Sequence, residues 1–287
     1  MTTAFVLSGG GTLGALQIGM LRALVTHDIV PDLVVGSSVG AINGAFFAGR
    51  PSREGVDDLE TIWRTLRSAD VFPIRPRAAL RGMTGRSDHI VPSSRLRSLI
   101  STHLGYELLE EARIPMHVVA TEVRTGDEVV LSSGSAVLAL LASAAIPGVF
   151  PPVRVGGMVL MDGSVVANTP IGCAIALGAD TVYVLSTAYR SAALDPRRST
   201  LGTALHAFGV LAENRLLSDV ARFRHLAELE VVPPPADLTH SPLGFAGTAQ
   251  LIEEAEGAAT RWLHRRRSPV STTLALPSRS ASPTPAA

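Results

Sequence analysis

Two strand-to-helix turns built from glycine and serine stand within the first 50 residues, and few folds accommodate both. Ala4 to Leu7 is a short apolar run closed by Gly9-Gly10-Gly11, after which Leu13, Leu16, Ile18, Leu21, Leu24 and Val25 recur near helical spacing as far as His27. Leu33-Val34-Val35 then meets Gly36-Ser37-Ser38-Val39-Gly40 and continues into Ala41 to Ala48, where small residues let a helix lie close to a sheet. Parallel strands need a crossover, usually a helix, so the pattern predicts an α/β fold with a mostly parallel central sheet. Further strands are expected at Met116 to Ala120, Val129 to Leu131, Thr181 to Leu185 and Leu229 to Val232. A hairpin is expected across Gly156-Gly157 whose second strand ends at Asp162-Gly163. Helical spacing covers Arg53 to Leu66, Ser93 to Leu104, Ala136 to Ala145 before Pro147, Leu201 to Leu226 and Thr248 to Leu263.

Composition narrows the class. With 287 residues, 46% of them hydrophobic, the chain can bury a full core, and disorder and disulfide scaffolds are excluded. Residues 1–267 read as one domain and residues 268–287, rich in Ser, Pro, Thr and Ala, as a disordered tail. The Pro- and Arg-rich stretch 68–92, with Arg75, Arg77, Arg81 and Arg86, reads either as a cap that meets anionic lipid or as a solvated loop. The 25 basic residues balance 25 acidic ones, which leaves no footprint for nucleic acid. Every basic residue is Arg, so lysine nucleophiles and Schiff bases are excluded. Cys173, the one cysteine, lies in an apolar stretch and reads as buried filler. The N-terminus has no basic region of a signal peptide, and no apolar run reaches a membrane span. The expectation is therefore a cytoplasmic chain whose membrane contact, if any, is peripheral.

Gly9, Gly11 and Gly14 fit the G-x-G-x-x-G spacing of a dinucleotide turn, but Gly36-Ser37 stands where that site needs its ribose-binding acid. Gly36-Ser37-Ser38-Val39-Gly40 fits G-x-S-x-G, a turn sharp enough to expose the hydroxyl of Ser38 at a helix N-terminus. The same pentapeptide also suits a plain small-residue turn. A serine nucleophile needs a base and backbone donors for the oxyanion, and the Gly9-Gly10-Gly11 loop could supply the donors. For the base, His206, His225 and His240 fall in the chain order of a Ser-Asp-His triad without any local signature. Asp162, at the tight Asp-Gly turn that ends an apolar strand, stands out, although an ordinary turn residue is the commonest use of Asp-Gly.

Taken together and in order, these segments resemble the patatin-like phospholipase family over nearly the whole chain, from Phe5 to about Leu263. The resemblance rests on Gly9-Gly10-Gly11-Thr12-Leu13-Gly14, on Gly36 to Gly40, on Ala142 to Pro152, on Asp162-Gly163-Ser164 and on Asn168-Thr169-Pro170. It implies a three-layer α/β/α fold and a Ser-Asp dyad without histidine, with Ser38 as nucleophile and Asp162 as general base. It also implies an oxyanion hole from Gly9, Gly10, Gly11, Thr12 and Gly14, with Gly36, Gly40, Gly163 and Ser164 as motif positions. Leu13 stands where the family usually carries Arg or Lys, and Ser164 where it has Gly or Ala. The implied activity is lipid acyl hydrolysis through an acyl-enzyme, on a lipid or carboxylic ester, with no metal and no cofactor. An acyltransferase on the same dyad and a non-catalytic lipid-binding protein of the same fold are the alternatives. Ala144 to Phe150 would line an acyl groove or close the core.

Overall fold

All four apolar residues Ala4, Phe5, Val6 and Leu7 are fully buried, Phe5 and Leu7 in one core and Ala4 and Val6 in another. A strand buried on both faces needs a layer on each, which is the physical origin of the three-layer architecture. The structure is a computed structural model describing residues 1–73, 89–187, 200–235, 245 and 247–267, the side chains of 200–206, 208 and 267 excepted. The cap arginines, the tail and His240 lie outside the described residues, as does the side chain of His206.

One sheet contains β1 (Thr3–Leu7), β2 (Leu33–Ser37), β3 (Met116–Glu122), β4 (Glu128–Leu131), β5 (Val153–Val155), β6 (Met158–Asp162), β7 (Thr181–Leu185) and β8 (Glu228–Val232). The order is β5-β6-β3-β2-β1-β7-β8, with β4 also on β3. The run β3-β2-β1-β7-β8 is parallel, while β4 and β6 run antiparallel to β3 and β5 antiparallel to β6. From β1 the chain lays β2 and β3 to one side and later β7 and β8 to the other, so the order reverses at β1. In open α/β sheets, ligands bind outside the C-terminal ends of the strands at such a point.

The core that holds Phe5 and Leu7 is covered by α1 (Ala15–Thr26), α2 (Val39–Gly49), α3 (Arg53–Thr65), α5 (Ser94–His103), α6 (Ala136–Ser143) and α10 (Thr248–Arg267). The core of Ala4 and Val6 is covered by α8 (Ile171–Ala176) and α9 (Thr200–Phe223). Two further short helices among the described residues are α4 (Ser68–Val71) and α7 (Ser164–Ala167). A 3-10 turn over Gly11–Gly14 precedes α1. At Gly19, α1 lies so close to α10 that a methyl group would collide with the backbone of Ile252 and Glu256. Gly156 and Gly157 both take positive φ (55° and 84°), as a two-residue hairpin of type I′ requires.

The expected elements are present with shifted ends. The helix expected to reach Ala145 stops at Ser143, because Pro147 has no N–H to give the Ser143 carbonyl. Instead the Gly163 N–H donates to that carbonyl (3.1 Å) and the Asp162 N–H to the Ala145 carbonyl (3.0 Å). The early stop thus ties the end of β6 to the end of α6. The helix expected to run to Leu226 ends at Phe223, and the last helix continues four residues past Leu263 to Arg267.

Candidate active site

The residue after β2 carries backbone strain. Ser38 has φ 53° and ψ −125°, one of two described non-glycine residues with positive φ, at a cost of about 1–3 kcal/mol. The turn that imposes this conformation requires glycine on both sides. A methyl on Gly40 would collide with the Leu7 carbonyl, and one on Gly36 would meet the Ala41 backbone. The Ser38 N–H donates to Ser143 Oγ (2.8 Å), whose hydroxyl donates to the Val119 carbonyl (2.6 Å), so a buried side chain of α6 holds the strained turn on β3.

Ser38 and Asp162 are 124 positions apart in the chain and meet because of the register on β3. Ser37 pairs with Val119 and Asp162 with Ala120, its immediate neighbour. Ser38 Oγ donates to Asp162 Oδ2 at 2.7 Å, and Oδ1 accepts the Ser164 N–H at 2.8 Å. The Thr121 hydroxyl anchors the Asp162 carbonyl (2.8 Å). Gly163 lies against the Val119 carbonyl, where a methyl would not fit. The Ser164 bond comes from the main chain, which any residue supplies, so Ser in place of the family's Gly or Ala leaves it intact. Asp162 is 3% exposed, and loss of solvation pushes its carboxyl up to about 6 against the pull of the Ser38 and Ser164 hydrogen bonds. A carboxylate so tuned is basic enough to take a hydroxyl proton near neutrality.

The glycine loop faces the same hydroxyl, and Gly11, Thr12 and Ser38 border one cavity. Gly11 has φ 59°, and no described residue accepts from the N–H of Gly10 or Gly11. Gly9 departs from expectation, since its N–H already donates to the Asn168 carbonyl (2.9 Å) and its carbonyl accepts from the Thr187 hydroxyl. Gly14 packs against Val39, and its carbonyl accepts from Asn43 (3.0 Å). Leu13 is buried in the main core, where a cation would lack solvent.

Beyond Ser38 the cavity is walled by apolar side chains: Val39, Ile42 and Phe46 of α2, Leu59 and Trp63 of α3, and Leu96 and Leu99 of α5. Ala144, Ile146 and Phe150 line it, so the segment before the hairpin does border this space. Phe72, within the stretch 68–92 expected as a cap, lines it as well and stacks on Phe150 at 5.6 Å. Among the described residues no histidine borders the cavity. Cys173 is buried as expected, its thiol pushed up to about 12 by burial and by Glu128.

Three features carry no expectation from the sequence: Ser143 as the holder of the turn, Asn168 as the acceptor for Gly9, and a buried network joining the amides of Gln17 and Asn43 to the Trp63 indole. Ser143 and Asn168 stand inside motifs that carry the resemblance, while Gln17 and Asn43 are marked in the sequence only by polarity inside apolar stretches.

A strained serine turn after β2 and a buried carboxylate at the end of β6 thus meet beside β3 of a mostly parallel α/β sheet. The patatin-like phospholipase model matches residues 5–175, well over half of the chain, and the chain belongs to that family. It is 27% identical over 197 residues to patatin-like phospholipase domain-containing protein 7 of Rattus norvegicus, covering 65% of this chain and 14% of that protein. It is 31% identical over 166 residues to an uncharacterized NTE family protein of Mycobacterium tuberculosis, covering 58% and 27% respectively. It is also 27% identical over 194 residues to a lysophospholipase of Mycosarcoma maydis, covering 64% and 10%. The matched part thus spans between a tenth and about a quarter of the length of these relatives. Among solved structures, VipD from Legionella pneumophila aligns with TM-score 0.46 and 16% identity over 92% of this chain and 67% of that one. Human GIVD cytosolic phospholipase A2 aligns with TM-score 0.45 and 12% identity over 92% and 58%.

Proposed function

We propose that the chain is a serine-dependent lipid acyl hydrolase, of phospholipase A or carboxylester hydrolase type, working through a Ser38–Asp162 dyad. The observation that carries this reading is the 2.7 Å bond from Ser38 Oγ to Asp162 Oδ2, with Ser38 bordering an apolar cavity. Asp162 takes the hydroxyl proton as Oγ attacks the ester carbonyl, and the N–H groups of Gly10 and Gly11 receive the oxyanion. Collapse expels the alcohol, which takes the proton from Asp162 and leaves an acyl-serine. Water then attacks with Asp162 again as base, releasing the fatty acid and restoring Ser38. The acyl chain lies along Val39, Ile42 and Phe46. The names of the relatives, phospholipases and a lysophospholipase, support a lipid ester as substrate. Contact with a lipid surface is peripheral in this reading, and no helix among the described residues is long and apolar enough to cross a membrane.

The test is product analysis with lysophosphatidylcholine and with nitrophenyl esters, in the presence and absence of an acceptor alcohol. Free fatty acid as the product, lost in Ser38→Ala, supports hydrolysis. A new ester formed with the acceptor at the expense of fatty acid would make the chain a transferase, and identical behaviour of Ser38→Ala would remove the serine from the reaction.

A further inference from the structure

Two buried amides lie between the glycine loop and the cavity, and every hydrogen-bonding group they possess is used. Asn43 Nδ2 donates to the Gly14 carbonyl (3.0 Å) and to Gln17 Oε1 (2.8 Å), while Asn43 Oδ1 accepts from the Trp63 indole N–H (2.9 Å). Gln17 Nε2 donates to the carbonyls of Ser8 (2.8 Å) and Leu185 (3.2 Å). Both amides are fully buried. The direction of the chain is chemically determined, since an indole N–H only donates and a backbone carbonyl only accepts. Reversing either amide would set like groups against each other at several points.

The attachment points give the network its meaning. Ser8 and Gly14 bracket the Gly9–Leu13 loop, and both carbonyls are held, one by Gln17 and the other by Asn43. Asn43 stands on α2, whose N-cap is Ser38. The loop that offers the Gly10 and Gly11 N–H groups is therefore fastened at its Gly14 end directly to α2, and at its Ser8 end to Gln17 of α1, which Asn43 in turn holds. The third member, Trp63, donates to Asn43 with one edge while bordering the apolar cavity, and it packs on Phe245 at 5.9 Å.

We propose that Gln17, Asn43 and Trp63 are positioning residues that register the oxyanion loop against Ser38, and that Trp63 makes this registration respond to the acyl chain in the cavity. A chain packed on the indole stiffens the Trp63–Asn43 bond, so binding energy remote from the ester is used in the transition state rather than in affinity. Acyl preference then resides in kcat. This inference rests on the hydrolase reading and deepens it.

The test measures kcat and KM separately for nitrophenyl esters from acetate to decanoate in wild type, Gln17→Glu and Trp63→Phe, with thermal melting of each. Gln17→Glu removes the donors to Ser8 and Leu185 and is expected to lower kcat by about ten- to a hundredfold on every ester, as misplaced catalytic groups do, with KM within a few fold. Trp63→Phe keeps a ring in the wall but removes the N–H, so its kcat deficit should be smallest with acetate and grow with chain length. It also serves if the buried charge of Gln17→Glu prevents folding. Deficits confined to KM, or a lowered melting temperature with normal turnover per folded molecule, would overturn the proposal. A wild type silent on all esters and unlabelled by a fluorophosphonate would instead overturn the hydrolase reading itself.

Discussion

At the scale of single residues, the site is held together by burial that works against stability. Asp162 has a carboxyl raised to about 6 by desolvation, against an ordinary value of 3.8. A group whose folded pKa lies above its unfolded one contributes fully below the unfolded value and loses that contribution as pH rises through the folded one. Asp162 is therefore a liability above pH 6, by about 3 kcal/mol for a shift of roughly two units. Asp162→Asn is expected to unfold at higher denaturant than wild type at pH 8, with the advantage shrinking below pH 6 and gone near pH 4, as chemical denaturation at the three pH values would report. Activity has the opposite dependence, because only the carboxylate is a base. The kcat/KM profile for an ester should fall about tenfold per unit below an inflection near pH 6 and be flat just above it.

Among the elements, backbone contact decides more than propensity. Gly19 sits inside α1, where alanine would favour the helix by about 1 kcal/mol. The methyl, however, would press on the α10 backbone at Ile252 and Glu256, and overpacking costs about 1–3 kcal/mol. Gly19→Ala is thus expected to destabilise the protein on balance, and urea denaturation would show it. The same contest explains what the sequence revealed. Strands such as Thr181–Leu185 were legible because they are apolar runs with glycine or aspartate beside them. The 3-10 turn at Gly11–Gly14 and the short helices at Ser164–Ala167 and Ile171–Ala176 were not, since four to six residues hold no period to read. Ser38 and Asp162 were legible from their turns and the family resemblance. Ser143, Gln17 and Asn43 were not, because what they hold lies on other elements, and only the folded register brings Val119, Ser8 and Gly14 to them.

The whole molecule assembles the site from distant parts. Ser38 and Asp162 sit on either side of β3, the Gly9–Leu13 loop leaves β1, and Leu185 at the end of β7 and Thr187 just beyond it brace that loop. The helix at the far end of the chain, α10, closes the core over α1 with Ile252, Ala255 and Ala259 fully buried. A chain ended before Thr248 is accordingly expected to lose its cooperative thermal transition, as calorimetry would show. Arg22 adds an ionic link among α1, α3 and α10 through Glu60, Asp57 and Glu256. In the proposed reaction this assembly activates Ser38 through Asp162, and intact-mass labelling with a fluorophosphonate checks that step by comparing wild type with Ser38→Ala and Asp162→Asn. A single adduct is expected on wild type, mapped to Ser38, absent in Ser38→Ala and greatly slowed in Asp162→Asn. A folded wild type that stays unlabelled, or an Asp162→Asn variant labelled as fast as wild type, would rule the dyad out.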